Sequence, residues 1–212
     1  MQPARPASGS DAGFTLIELL VTITIFSILL AVGIPNASAW LLANRARGAS
    51  AFYAEGFNMA RRQAVAHNTF SRISLSPNGT SGQMDWQVDL CFVGAGTACG
   101  PGDPGWSTPS DVASNDPLGD SGYRSVFRAA TLLPTTEVLT PTLAPDGATQ
   151  VYYTALGWVD TNAGPGLTQL RLDPTSKYAN DVPAVALRIT LAGMATQCNP
   201  LLASSDSRAC PP

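Results

Sequence analysis

GFTLIELLVTITIFSILLAVGIP, residues 13–35, is the stretch from which the rest of the chain is best read. The apolar run from Phe14 to Ile34 holds one charge, Glu18, and the next charged side chain is Arg45. Its twenty-one residues predict a helix. At about 1.5 Å per residue that helix reaches roughly 30 Å, enough to cross the hydrocarbon core of a bilayer. A charge inside such a helix costs roughly 2.5–3.5 kcal/mol at the membrane centre and less near its end, so it marks a functional residue that needs a partner.

Three kinds of N-terminal segment compete for this run: a plain membrane anchor, a cleaved secretory signal, and a segment cut after Gly13. A secretory signal is supported by Ala37-Ser38-Ala39, an A-x-A site shortly after the apolar residues. Against it, the run exceeds the usual apolar length of about 7–15 residues and carries a carboxylate just inside its edge. A cut after Gly13 creates an α-ammonium on Phe14, four residues from Glu18. Glu18 then lies near the positive end of the helix dipole. The ammonium can pair with Glu18 of its own helix or of a neighbouring chain. Between chains, that pairing offsets the desolvation of both charges and fixes axial register.

Gly13-Phe14-Thr15-Leu16-Ile17-Glu18 followed by an apolar run resembles the class III signal of type IV pilins and pseudopilins. The resemblance implies that a membrane-bound prepilin peptidase cuts between Gly13 and Phe14 and methylates the new Phe14 amine. It implies that Glu18, at the fifth mature position, orders assembly, and that a proline at the twenty-second, here Pro35, kinks or melts the helix. Gly33 is a second weak point beside it. The leader, residues 1–13, carries Arg5 as its only basic side chain together with Asp11, less basic than the family pattern. The implied partners are prepilin peptidase, other major and minor pilins or pseudopilins, and an inner-membrane assembly platform. The implied location is a single pass in the inner membrane with the C-terminal body in the periplasm, followed by extraction into a pilus or pseudopilus.

Composition fits a modest folded body attached to something apolar. In 212 residues, 12 Lys+Arg face 15 Asp+Glu, and charged residues make up 13%, about half the usual share. With a net charge of −3 and no block of like charges, no polyanion-binding surface is expected, and a nucleic-acid partner is not expected either. His67 is the only histidine, which excludes most familiar catalytic arrangements. Four cysteines, Cys91, Cys99, Cys198 and Cys210, are separated by seven, ninety-eight and eleven residues. None of these spacings matches the short pairs of a zinc site, and an extracytoplasmic chain favours two disulfides. Local pairing, Cys91–Cys99 and Cys198–Cys210, is preferred over crossed pairing, which stays open.

Beyond Pro35 a helical pattern resumes over residues 35–68. Leu42, Ala46, Ala49, Tyr53, Gly56, Ala60, Ala64 and His67 form a stripe of mostly small residues, with Arg45, Arg47, Glu55, Arg61 and Arg62 off it. Asn68 is the expected stop. From there the period changes to two, and residues 69–212 read as a β-rich body. Met84–Phe92 alternates as a half-buried strand, and Val185–Leu191 does the same. Weaker strands are expected at Ser71–Leu75, Tyr123–Ala129, Gln150–Thr154 and Thr168–Leu172. Gly94–Gly122 is a long Gly/Pro/Asp/Ser-rich loop, either functional or mobile. The fold class expected is α+β and pilin-like: a long N-terminal helix, its first half transmembrane, packed on a mostly antiparallel sheet.

The junction Ala60-Arg61-Arg62-Gln63-Ala64-Val65-Ala66-His67-Asn68, and the ending Gly193 then Cys198-Asn199-Pro200, resemble the GspH/FimT branch of that family. FimT-like members that bind DNA for uptake carry arginines just after that glycine. Here the residues are Met194-Ala195-Thr196-Gln197, so DNA capture is not expected.

No nucleophile–base pair, cofactor loop or metal site is expected. Gly94-Ala95-Gly96-Thr97-Ala98-Cys99-Gly100 mis-spaces a dinucleotide loop and has no following helix. Asp103, Asp111, Asp116 and Asp120 lack calcium-loop spacing. Asn78-Gly79-Thr80 is simplest as a turn, His67 as a capping or packing residue, and Tyr152, Tyr153 and Trp158 as sheet packing. The four arginines of the helix read as a solvated face, with phosphate binding as the alternative. The function expected is that of a minor pilin or pseudopilin entering the tip or initiation complex of a type IV pilus or a type II secretion pseudopilus. DNA uptake and a secreted disulfide-bonded protein cleaved after Ala39 are the alternatives.

Overall fold

A computed structural model describes residues 13–210, except for the side chains of Val32, Pro35, Asn36, Ser38 and Ala39. The leader apart from Gly13 lies outside the described residues. One helix, α1 (Leu16–Ala66), precedes eight strands: β1 (Phe70–Pro77), β2 (Met84–Cys91), β3 (Val126–Arg128), β4 (Leu139–Ala144), β5 (Gln150–Tyr153), β6 (Gln169–Pro174), β7 (Val185–Ile189) and β8 (Ala195–Cys198). The compact units divide between Trp40 and Leu41.

Within α1, Gly33 and Pro35 fall inside a single helical element. Among the described residues no helix is long and apolar enough to cross a membrane. The side chain of Val32 is outside the description, so the expected transmembrane segment 14–34 lies only partly within the residues to which this applies.

From Leu41 onward the chain is an α+β body. Two antiparallel four-stranded sheets, ordered β3-β2-β1-β5 and β4-β6-β7-β8, pack with α1 around one core. The small-residue stripe of the helix is its buried face. Ala46, Ala49, Tyr53, Phe57, Ala60 and Ala64 meet Ile73, Trp86, Val88 and Tyr153 of the first sheet, and the cluster continues into Leu170, Leu172 and Leu187 of the second. Small side chains let helix and sheet approach closely. At Gly56 an added Cβ would lie 2.9 Å from both Ile73 and Trp86. Trp86 Nε1 donates to the Phe52 carbonyl (3.0 Å), and the Met84 amide donates to the Tyr53 hydroxyl (2.9 Å). The helix stops as expected, with Asn68 in the left-handed region at φ 49° and the Thr69 amide returning to the Ala64 carbonyl.

Strand β2 departs from its half-buried pattern, since all its residues but Gln87 are buried. One face packs on the helix, and the other is covered by the segment between β2 and β3. Asp89, buried, pairs with Arg72 at 2.7 Å, and the Arg72 guanidinium lies 4.6 Å over the Trp106 ring. Asp85 accepts from the Ala130 amide (2.6 Å) and Asn78 Nδ2 (2.8 Å). The Gly94–Gly122 stretch is therefore built onto the sheet. Its base is tied by Cys91–Cys99, and Ser107 bonds the Leu90 backbone through both its amide and its hydroxyl. Cys198–Cys210 closes the C-terminal loop.

Burial raises the Tyr53 and Tyr123 hydroxyls to about 12 each, and pushes Tyr153 higher still. An unfolded tyrosine ionises near pH 10, so above that pH the unfolded chain loses protons that the folded chain keeps. Stability should be complete below about pH 10 and should decline as the pH rises towards about 12. Denaturant midpoints measured across this window test it, and a flat midpoint contradicts it.

Candidate functional site

The site is built on the start of α1. Gly13, Phe14 and Thr15 precede the helix and are exposed, Phe14 at 83%. Thr15 sets where the helix begins. Its hydroxyl accepts the Glu18 amide (3.2 Å) and its carbonyl accepts the Leu19 amide (3.1 Å), so Thr15 is the N-cap. Thr15-Leu16-Ile17-Glu18 has the spacing of a capping box, a second signal in the sequence beside the one that marks Glu18 for assembly. The bond between Gly13 and Phe14 thus lies outside the helix, and Glu18 lies in its first turn. There a carboxylate is stabilised by the unpaired amides of the helix end. Glu18 is exposed and makes none of the three ion pairs found among the described residues.

The rest of this segment is apolar on every side. Leu16, Ile17, Leu19, Leu20, Val21, Ile23, Ile25, Phe26 and Ile28 are all exposed. Its hydroxyls are turned inward: Thr22 donates to the Leu19 carbonyl, Thr24 to Leu20 and Ser27 to Ile23, at 2.7–2.8 Å. Bonded back to the helix in this way, they need no partner from the surroundings. Such a surface far exceeds the apolar patch that a monomer leaves in water. At Gly33 an added Cβ would meet nothing within 4 Å, so no contact of the described chain requires that glycine.

Elsewhere the residues weighed for chemistry have structural partners. His67 makes an edge contact with Tyr123 at 5.5 Å. Asp103 accepts from the Gly105, Ala98 and Cys99 amides, and these bonds, Gly105 foremost, hold its carboxyl below the usual range. Hydroxyl bonds from Ser110 and Thr108 do the same for Asp111. Asp116 accepts from the Leu118 and Tyr123 amides. Asn78 is buried in its turn, its side-chain oxygen accepting the Thr80 and Ser81 amides. No group of residues able to hold a metal ion occurs among the described residues.

Two expectations need correction. Trp158 does not pack in the sheet and is 61% exposed, because the turn that closes with the Thr154–Trp158 backbone bond places it outside. Arg61 is not part of a solvated face. Its Nε donates to the carbonyls of Gly157 (3.1 Å) and Ala192 (3.3 Å), clamping two turns together.

Residues 9–34 match the family profile of the prokaryotic N-terminal methylation motif. The chain therefore carries a type IV pilin-like prepilin signal, which implies processing by prepilin peptidase and assembly with other pilins. The match covers the N-terminal segment alone. No curated protein and no solved structure gives a significant match to the chain.

Proposed function

We propose that the chain is a minor pilin or pseudopilin of the GspH/FimT type, acting by assembly rather than catalysis. Prepilin peptidase cuts between Gly13 and Phe14 and methylates Phe14. The apolar segment 14–34 holds the chain in the inner membrane until it enters the tip or initiation complex of a type IV pilus or type II secretion pseudopilus. The observation that carries this proposal is an all-round apolar, exposed segment at the start of α1 whose one charge, Glu18, stands in the first turn of the helix directly after the matched processing site. In a filament, the Phe14 ammonium of one subunit meets the Glu18 carboxylate of the next. Desolvating either charge alone is costly, so subunits stack where the two coincide.

Two observations speak against the alternatives. Residues 37–39, the A-x-A site of a secretory signal, lie within the α1 backbone rather than in an extended segment. The arginine nearest the Gly193 turn, Arg61, is held by backbone carbonyls, and β8 itself carries no cation. The test is expression with and without prepilin peptidase. With it, the chain should lose its leader and appear in sheared filaments. Without it, the full-length chain should accumulate in the membrane. Processing that proceeds equally well without the peptidase would contradict the proposal.

A further inference from the structure

A groove of about 480 Å³ runs along the exposed side of α1 between helix residues 45–55 and the loop 132–134. Its floor is Gly48, Ala51 and Phe52, and its wall is Leu132, Leu133 and Pro134. Leu132, at the tip of that wall, is 96% exposed. Arg45 and Glu55 stand at the two ends of the helix stretch that lines the groove, and neither makes any of the ion pairs found among the described residues. The features are those of a largely apolar trough with a cation at one end and a carboxylate at the other, and Gly48 and Ala51 in its floor allow another helix to approach closely.

We propose that the groove receives residues 14–31 of a second copy of this chain. This rests on the assembly proposal above and specifies where one subunit's apolar segment lies on another. The segment has the matching chemistry: apolar on all sides, hydroxyls bonded inward, and a lone carboxylate in its first turn. Copies that share a membrane polarity lie parallel. Placing Glu18 of one beside Arg45 of the other offsets them by twenty-seven residues, about 40 Å of helix. At that offset Val21 faces Gly48 and Ile25 faces the Ala51–Phe52 floor, while Leu132 closes over the side. Glu18, Val21 and Ile25 share one helix face, and Ile23 points well away from it. A carboxylate has acceptor sites for both an ammonium and a guanidinium, so Arg45 adds to the Phe14 amine as a partner of Glu18 rather than replacing it.

Disulfide cross-linking of the full-length chain, expressed in membranes with its processing and assembly partners, tests this. Copies carrying Ile25→Cys are mixed with copies carrying Ala51→Cys, with Ile23→Cys as the off-face control. The 25–51 adduct should exceed the 23–51 adduct by about tenfold, and adding Arg45→Glu to the Ala51→Cys copies should lower it by about tenfold. Equal adducts from Ile23→Cys and Ile25→Cys, or indifference to Arg45→Glu, would overturn the docking. So would the absence of any adduct in a sample whose mature chains begin at Phe14 and reach the filament fraction. In that last case assembly stands and only the groove is wrong.

Discussion

Glu18→Ala is expected to leave cleavage after Gly13 intact and to empty the filament fraction of this chain. The alanine removes one partner of a charge pair that forms only when subunits meet in an apolar environment. The remaining Phe14 ammonium is then buried without compensation, at about 3–5 kcal/mol, or roughly 10²–10⁴-fold in the equilibrium for each contact. The measurement is the ratio of processed chain in sheared filaments to processed chain in the membrane. Thr15→Ala separates this effect from simple capping. It removes the helix-start bond to the Glu18 amide, which contributes about 1 kcal/mol, and leaves the charge pair untouched. If Thr15→Ala impairs assembly as much as Glu18→Ala, the carboxylate acts through helix geometry. If both assemble normally, the register mechanism fails.

Gly193→Ala is expected to be among the most destabilising single substitutions in the body. Gly193 sits at φ 78°, where a side chain is strained, and an added Cβ would lie 2.0 Å from the Gly157 carbonyl oxygen. That oxygen cannot simply move aside, because Arg61 Nε is bonded to it and to the Ala192 carbonyl. Backbone strain together with a forced backbone shift puts the cost at about 3–5 kcal/mol. For a body of this size that corresponds to a fall in Tm of roughly 10 °C. Thermal unfolding followed by circular dichroism measures it, and a Tm within about 2 °C of the parent would show that the two turns are not locked together. The same glycine anchors the resemblance to the GspH/FimT branch. Its geometry here explains a glycine at that position by close approach of two turns, with no ligand required.

What could be read in advance follows from which signals are local. The small-residue stripe, the Asn68 stop and strands β1, β2, β6 and β7 rest on periodicity within one element, and they lie close to where the sequence puts them. Strands β4 and β8 were not legible. β4 contains Pro141, which reads as a breaker yet is tolerated because β4 is an edge strand. β8 is four residues long without alternation, and it takes its pairing from β7. The burial of Asp85 and Asp89 was hidden for a related reason. Both alternate with apolar residues as solvent-facing positions would, and only the later segment, bringing Trp106 over Arg72 and the Ala130 amide to Asp85, covers them. The role of Arg61 is not legible locally either, because its carbonyl partners are about a hundred residues away in sequence. At the candidate site the position is reversed. Everything that marks it, from Gly13 to Glu18, is contiguous, which is why a short profile detects it while the body matches nothing.

The central claim is that maturation brings an amine on Phe14 into reach of Glu18. Mass spectrometry of the processed chain purified from host membranes, read at its N-terminus, tests this most directly. The first residue should be N-methylated Phe14, with Glu18 retained four positions on; a chain that begins at Trp40 would have lost both groups and would contradict the account.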